Sequence, residues 1–437
     1  MNEGRYVVIA LARPRQPWSA ELARWSTSGA APIEVVTCMS SDEVLAVVGS
    51  GRRVSALLAD AGAARVDREL IHSLRGAAVP SIIVADGKVQ RDWDSLGAAE
   101  ILGPAFDVAQ LLDTLGRAAV LVVDDLRVPA RVQLDTPTRD RATLVVVTGA
   151  GGAGSSTVAM GIAQSLAHPG SDGTGARVAL VDGVRRGDLA MYHDVGDVIP
   201  GLPELVDAHR VDTVEPDEVR RLLFHITERS YDVLLGLRRP RDWVSLRPRS
   251  VEAALDGLRR AHDAVVLDVD ADLEGEDDTG SVDVEDRHCV TRCGMRHADL
   301  VVVVGTPGLK GLHDLVRLTD DVALAGVPTT RILPVLNRAT RNPASRSSTV
   351  LSLTRLAHDS NGPPLVHLPV ARRLEHAHRQ VGRLPEALCR PLGRAVRQVL
   401  LDVGPRATAV ADVETPVRPG TLGTPRRVDA AADREIA

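Results

Sequence analysis

Residues Thr143–Ala167 read TLVVVTGAGGAGSSTVAMGIAQSLA, and this stretch decides the fold. Leu144 to Val147 is a β-branched run of the kind that forms a buried strand. Gly149-Ala-Gly-Gly-Ala-Gly154-Ser-Ser-Thr157 follows, and Val158 to Leu166 then shows helical apolar periodicity. Strand, glycine turn and helix make a phosphate cradle, because glycines let backbone N–H groups converge on an anion and the helix N-terminus adds partial positive charge. The full pattern is G-x-x-x-x-G-K-[ST]. Gly149 and Gly154 have its spacing and Ser156 occupies the position of the magnesium-binding hydroxyl, but Ser155 stands where the lysine belongs.

The 437 residues suffice for two domains with connectors. With 52 basic and 58 acidic residues the net charge is −6, which gives no global nucleic-acid footprint, and 2% aromatics argues against base-stacking platforms. Cys38, Cys289, Cys293 and Cys389 are too few for a disulfide scaffold. The opening segment MNEGRYVVIALARPRQPW reads as a strand rather than a signal peptide, and no apolar run approaches the roughly 18–20 residues of a membrane span. The expectation is a soluble cytoplasmic protein.

The first part of the chain alternates strands and helices. Strand patterns at 5–11, Ile33–Cys38, Ser55–Asp60, Pro80–Ala85 and Ala99–Leu102 are separated by helical ones, including Asp67–Leu74 and Asp107–Ala118. This predicts a flavodoxin-like parallel sheet covered on both faces, within residues 1–120. Gly97-Ala-Ala-Glu-Ile-Leu-Gly-Pro-Ala-Phe106 resembles the end of a response-regulator receiver domain, and Asp60 stands at the phosphoacceptor position of that family. Ala10-Leu-Ala-Arg13 replaces the acidic pair that would hold magnesium, and Gly103 replaces the lysine. Phosphotransfer thereby loses its electrostatic stabilisation. The expectation is a degenerate receiver-like domain used for docking.

Residues 121–142 read as a linker, with two prolines and mixed charge. Beyond the glycine loop, Arg177–Asp182, Tyr231–Leu235, Ala264–Asp268, Leu300–Val304, Arg331–Leu336 and Val366–Pro369 read as strands. Helices are expected at 201–208, 215–225, Ser250–Arg260 (with Ser250 as cap), Cys289–His297, Leu309–Leu318 and Leu384–Val403. Asp270–Arg287 reads as an acidic loop, residues 339–349 as a polar loop, and 404–437 as a disordered tail.

With Asp182, Asp268 and Asn337 beside the glycine loop, residues 143–403 resemble the ParA/MinD superfamily of deviant P-loop ATPases. Within it, Leu180-Val-Asp-Gly-Val-Arg-Arg-Gly-Asp-Leu-Ala190 and the receiver-like half are most similar to the CpaE/TadZ-like branch. That branch includes the actinobacterial CpaE-like proteins named for septum-site determination. The resemblance implies a doubly wound, mostly parallel P-loop domain, ATP and Mg2+ as cofactors and a homodimer. It also implies protein partners in the division or pilus/secretion machinery. It assigns nucleotide contacts to Gly149, Gly151, Gly152, Ala153, Gly154, Ser155, Ser156 and Thr157, and magnesium to Ser156, Asp182 and Asp268. Asn337 and Arg338 would flank the adenine.

Three departures set the chemistry. Ala150 replaces the lysine that reaches across the family's dimer, Ser155 replaces the lysine on the β- and γ-phosphates, and Val184 replaces the water-orienting acid. Asp182 is left as the one candidate catalytic residue. Removing one transition-state donor typically costs about 3 kcal/mol, or 10²–10³ in rate, so hydrolysis should be very slow unless another cation substitutes. Arg185 and Arg186 are the nearby candidates, weighed against a role as solvated loop charges. The alternatives are therefore a weakly ATP-binding or pseudo-ATPase regulator, a slow Mg-ATPase and, with least support, a DNA-partition protein.

Other motifs read as structural rather than functional, on spacing, composition or net charge. Cys289, Cys293 and His297 at successive spacings of four spread over about 12 Å of helix and cannot meet at one zinc ion. The acidic stretch 270–286 lacks the ordered glycine and terminal glutamate of a calcium loop. The Arg-rich segment 338–355 reads as a solvated loop rather than a nucleic-acid contact. Residues 404–437 have prolines at 405, 416, 419 and 425 and no amphipathic membrane helix.

Overall fold

In the computed structural model, which describes residues 5–122, 142–168, 175–340, 342 and 362–404, the strand-forming runs assemble into two sheets. The first contains β1 (Tyr6–Leu11), β2 (Ile33–Cys38), β3 (Ala56–Asp60), β4 (Ser81–Val84) and β5 (Glu100–Leu102). All its pairings are parallel, in the order β2-β1-β3-β4-β5, which is the doubly wound flavodoxin-like order. Its helices start where the sequence supplies caps. Ser40, Asp67 and Asp107 each accept the N–H three residues on, and Gln110 returns a side-chain bond to the Asp107 N–H.

The second sheet contains β6 (Thr143–Gly149), β7 (Val178–Asp182), β8 (Phe224–Ile226), β9 (Tyr231–Leu234), β10 (Ala264–Asp268), β11 (Leu300–Gly305), β12 (Ile332–Ala339) and β13 (Val366–Pro369). Their order is β13-β12-β11-β6-β10-β7-β9-β8, with β8 alone antiparallel to its neighbour among the described strands. The strands are continuous apolar runs because both faces are covered. Leu144 and Val146 point into one core and Val145 and Val147 into the other. Each such buried Val or Leu contributes roughly 1.5–3 kcal/mol.

The glycine loop opens the helix Ser155–Ala167, which is buried from Thr157 through Ser165 except at its polar first turn. Small residues permit this. A Cβ on Gly161 would lie 3.0 Å from Leu392, and one on Gly393 would collide with Ser165 of the loop helix. Both contacts seat the terminal helix Glu386–Val403 against the loop helix. Gln164 completes the seat by donating to Leu384 O and accepting from Leu384 N.

Several local expectations change. Ser250 is not the cap of its helix, which runs Pro248–Ala261 from Arg247. Pro248 starts it, and the Ser250 N–H and hydroxyl donate to Glu69 at 2.8 and 2.9 Å. The acidic stretch 270–287 is not all loop: it holds the short helices Glu276–Thr279 and Val282–Arg287. Their acids sit in the first turn, where the helix dipole favours them. The 215–225 helix ends at Arg221 and gives way to β8, and Leu374–Arg379 is an additional helix. Of the expected linker 121–142, the described residues are 121, 122 and 142, and of the expected tail 404–437 only Gly404; the rest lie outside the described residues.

All described residues belong to one compact unit, Met1–Pro405. The two sheets are joined through the helix Arg68–Gly76, which packs on the helices Leu202–Val211 and Pro248–Ala261. Buried Arg68 donates to His209 O at 2.9 Å and Ser95 O at 3.2 Å, and Arg210 pairs with Asp67 at 2.7 Å. Burial keeps the His209 imidazole neutral, lowering its pKa to about 4. A charged donor bonded to buried carbonyls contributes about 1.5–3 kcal/mol. Arg68→Ala should therefore lower stability by about 2 kcal/mol and split thermal unfolding into two transitions, read by scanning calorimetry. One undisturbed transition would show that this joint does not couple the sheets.

Candidate functional site

The glycine loop leaves the C-terminal edge of β6, at the centre of its sheet, and its shape is fixed by steric necessity. Gly152 and Gly154 have φ of +81° and +89°, which side chains rarely adopt. A Cβ on Gly149 would sit 2.7 Å from Val304 O of the neighbouring β11, and one on Gly154 would sit 2.5 Å from Asn337 Nδ2. Asn337 is buried at the end of β12. It donates from Nδ2 to Ala153 O at 2.9 Å and accepts the Arg338 N–H on Oδ1, also at 2.9 Å. Asn337, expected beside an adenine, thus holds the loop itself. Arg338 is exposed, with φ of +56°. Ser155 and Ser156 form the half-buried first turn of the loop helix, and Thr157 is buried behind them.

Asp182 and Asp268 end the adjacent strands β7 and β10 in direct register, and Asp268 lies beside Val147 of β6. The ends are tied: Gly183 N donates to Asp268 O at 2.8 Å, Val269 N to Val147 O at 3.0 Å and Thr148 Oγ1 to Asp270 O at 2.9 Å. Asp182 accepts the N–H groups of Val184 and Leu189 at 3.2 and 3.3 Å. Gly187 and Gly236 crowd it so closely that neither position admits a side chain without displacing the carboxylate. Asp268 is 1% exposed, and by hydrogen-bond geometry neither of its carboxylate oxygens has a partner.

Burial raises the Asp182 pKa to about 7, against the opposing pull of the Val184 and Leu189 N–H groups. Burial also raises Asp268 well above the usual carboxylate range. The nearby Ser156 hydroxyl draws it down, while the charges of Asp182, Asp270 and Asp188 push it further up. Ser156, Asp182 and Asp268 are thus brought together. An orphaned, buried carboxylate facing a glycine cradle and a hydroxyl fits a magnesium–phosphate group, with Ser156 and Asp268 as holders. The absent lysines do not contribute to that fit. Among the described residues, no group of three or more His, Cys, Asp or Glu is arranged to hold a metal ion.

Arg185 is not a solvated loop charge. It donates to Asp270 at 3.0 Å and to Asp272 at 2.8 Å, which ties it away from the loop; Arg186 is exposed. A groove of ≈ 590 Å³ flanks the loop, between Ala150–Ala153 and the turn Gly305–Gly311 that leaves β11, with Asp314 and Arg338 at its ends. It contains Lys310, which the sequence reading passed over. The signal was present: GTPGLKG is a second glycine-rich turn between an apolar strand and a helix.

At the C-terminal edge of the first sheet, Arg13 closes over Asp60. Its Nε lies 3.1 Å from both carboxylate oxygens and Nη2 lies 3.0 Å from Oδ1, and the bond to Asp60 raises the guanidinium pKa. A cation of the chain's own stands on the acid where the receiver family would hold a metal. Cys289 and Cys293 are buried and donate to Leu246 O and Pro248 O, while His297 lies toward Glu252. No helix among the described residues is long and apolar enough to cross a membrane.

No family model matches the chain, and no curated protein matches it in sequence. Among solved structures, the chain is similar to ATPases of the ParA and MinD kind. A ParA family ATPase from Chlorobium tepidum TLS is 20% identical, with TM-score 0.45, covering 60% of this chain and 99% of that one. The septum site-determining protein MinD from Pyrococcus horikoshii OT3, solved with Mg-ADP, is 16% identical, with TM-score 0.43, covering 60% and 97%. The structure named FixJ-N is 19% identical, with TM-score 0.23, covering 26% and 92%.

Two outcomes follow from the geometry. Asp182 holds its proton to higher pH in the folded state than unfolded, so its contribution to stability is lost as pH rises from about 4 through about 7; Asp268, also raised, acts in the same direction. Asp268→Asn should raise the melting temperature at pH 8 and change it little at pH 5; equal shifts at both pH values would contradict this. Acetyl phosphate should leave Asp60 unmodified by intact-mass analysis, because Arg13 occupies its carboxylate; a phosphoryl adduct on Asp60 would contradict that.

Proposed function

We propose that the chain is a MinD/ParA-like regulator of the CpaE-like kind. In this reading it acts in placing division septa or assembling pilus or secretion machinery, binding ATP weakly or working as a pseudo-ATPase dimer. Residues 1–120 form a degenerate receiver-like docking domain, 121–142 a linker and 143–403 the nucleotide-responsive domain. The observation that carries this reading is the sterically enforced glycine cradle beside the in-register pair Asp182 and Asp268, without lysine at 150 or 155. Gly149, Gly151, Gly152, Ala153, Gly154, Ser155, Ser156 and Thr157 would receive the phosphates. Ser156 and Asp268 would hold Mg2+, with Asp182 beside them. Arg338 would lie toward the nucleoside, and Asn337 would keep the loop in shape.

A slow Mg-ATPase is the second reading, favoured by the orphaned carboxylate of Asp268. Turnover that is lost on Asp268→Ala would select it.

The test is calorimetric titration of Mg-ATP into the full chain and into Gly154→Asp. The substitution places a carboxylate against Asn337 and inside the cradle. The reading predicts micromolar binding that the variant lacks. No heat at millimolar ATP, with circular dichroism showing both proteins folded, would sink the nucleotide reading and leave a protein-interaction scaffold.

A further inference from the structure

The glycine loop carries no cation, yet a polyphosphate held by N–H dipoles alone brings several uncompensated negative charges beside the buried acids. The loop's own arginine candidate, Arg185, is bound to Asp270 and Asp272. The flanking groove supplies the missing charge from another element. Its walls leave neighbouring strands, since Gly149 at the end of β6 is in register with Val304 of β11. The segment Gly305–Gly311, which runs from the end of β11 into the helix Leu309–Leu324, is tightly packed on itself. A Cβ on Gly305 would lie 2.8 Å from Leu315, and one on Gly311 would collide with Thr306.

Lys310 lies in the first turn of the helix Leu309–Leu324 that follows β11, and it lines the groove together with Ala150–Ala153. Its Nζ lies 2.5 and 2.6 Å from the two oxygens of Asp314, one helical turn away, and its side chain is 84% exposed. An exposed pair at this spacing is weak and exchanges readily for a more highly charged partner. Asp314, only 12% exposed, keeps the ammonium at the groove while leaving it exchangeable.

We infer that Lys310 supplies the charge missing from positions 150 and 155, leaving Asp314 to meet the polyphosphate of a nucleotide held on the glycine loop. This rests on the nucleotide-binding reading above. Lys310 is here a binding residue contributed by the helix after β11 in place of one contributed by the loop.

The experiment is calorimetric titration of Mg-ATP into the full chain and its Lys310→Met, Lys310→Arg, Asp314→Asn and Lys310→Met/Asp314→Asn variants. Loss of a charge-assisted hydrogen bond should weaken ATP binding about tenfold or more in Lys310→Met. Lys310→Arg should recover at least half of that loss. Asp314→Asn should tighten binding about threefold, and that gain should vanish in the double variant. Because Lys310 is exposed, its substitutions are not expected to disturb folding, and circular dichroism verifies that the Asp314 variants are folded. Binding by Lys310→Met within twofold of the parent overturns this inference alone. A parent chain that binds no ATP at millimolar concentration overturns both the inference and the nucleotide reading.

Discussion

The contact between Asn337 Nδ2 and Ala153 O fixes the site before any ligand arrives. It requires a glycine at 154, whose left-handed backbone leaves room for the amide, and it requires β12 to run to Ala339 so that Asn337 points back across β11. Loop, strand and amide are therefore one mutually dependent arrangement. Preorganisation of this kind matters most where individual interactions are weak, because an ordered cradle loses little entropy on binding.

Charge is the second constraint. Asp182, Asp188, Asp268 and Asp270 gather at the ends of β7 and β10, and the nearest arginine is consumed by Asp270 and Asp272. Burial and repulsion among these acids raise the proton affinity of Asp182 and Asp268, so a cation bound between them would release protons. Lys310 follows β11, on one side of β6, whereas β10 and β7, which carry these acids, lie on the other.

The first sheet follows a related logic. Arg13 on Asp60 closes the edge of this sheet with an ion pair. The next helix, Arg68–Gly76, is committed to the joint through Arg68, Glu69 and the neighbouring Asp67.

Much of this was legible in the sequence because strands buried on both faces show as continuous apolar runs. Ala264–Asp268, Cys289–His297 and Val366–Pro369 fell where their patterns ended. The misses have physical causes. β8 is a three-residue antiparallel edge with no buried run to mark it. The acidic helices at 276–287 are made of residues with poor intrinsic propensity, held by first-turn position. Ser250 with Glu69, Arg13 with Asp60 and Asn337 with Ala153 are pairings distant in sequence, and local pattern carries no trace of them. For Lys310 the glycine-rich GTPGLKG segment was visible, but its nearness to the glycine loop depends on β11 lying beside β6. The most direct measurement of the central claim is amide hydrogen exchange of the full chain with and without Mg-ATP. The account predicts slowed exchange in residues 149–157 and 305–311 together, with the Arg338 amide slow in both states. Unchanged exchange in both segments at saturating millimolar ATP would contradict it.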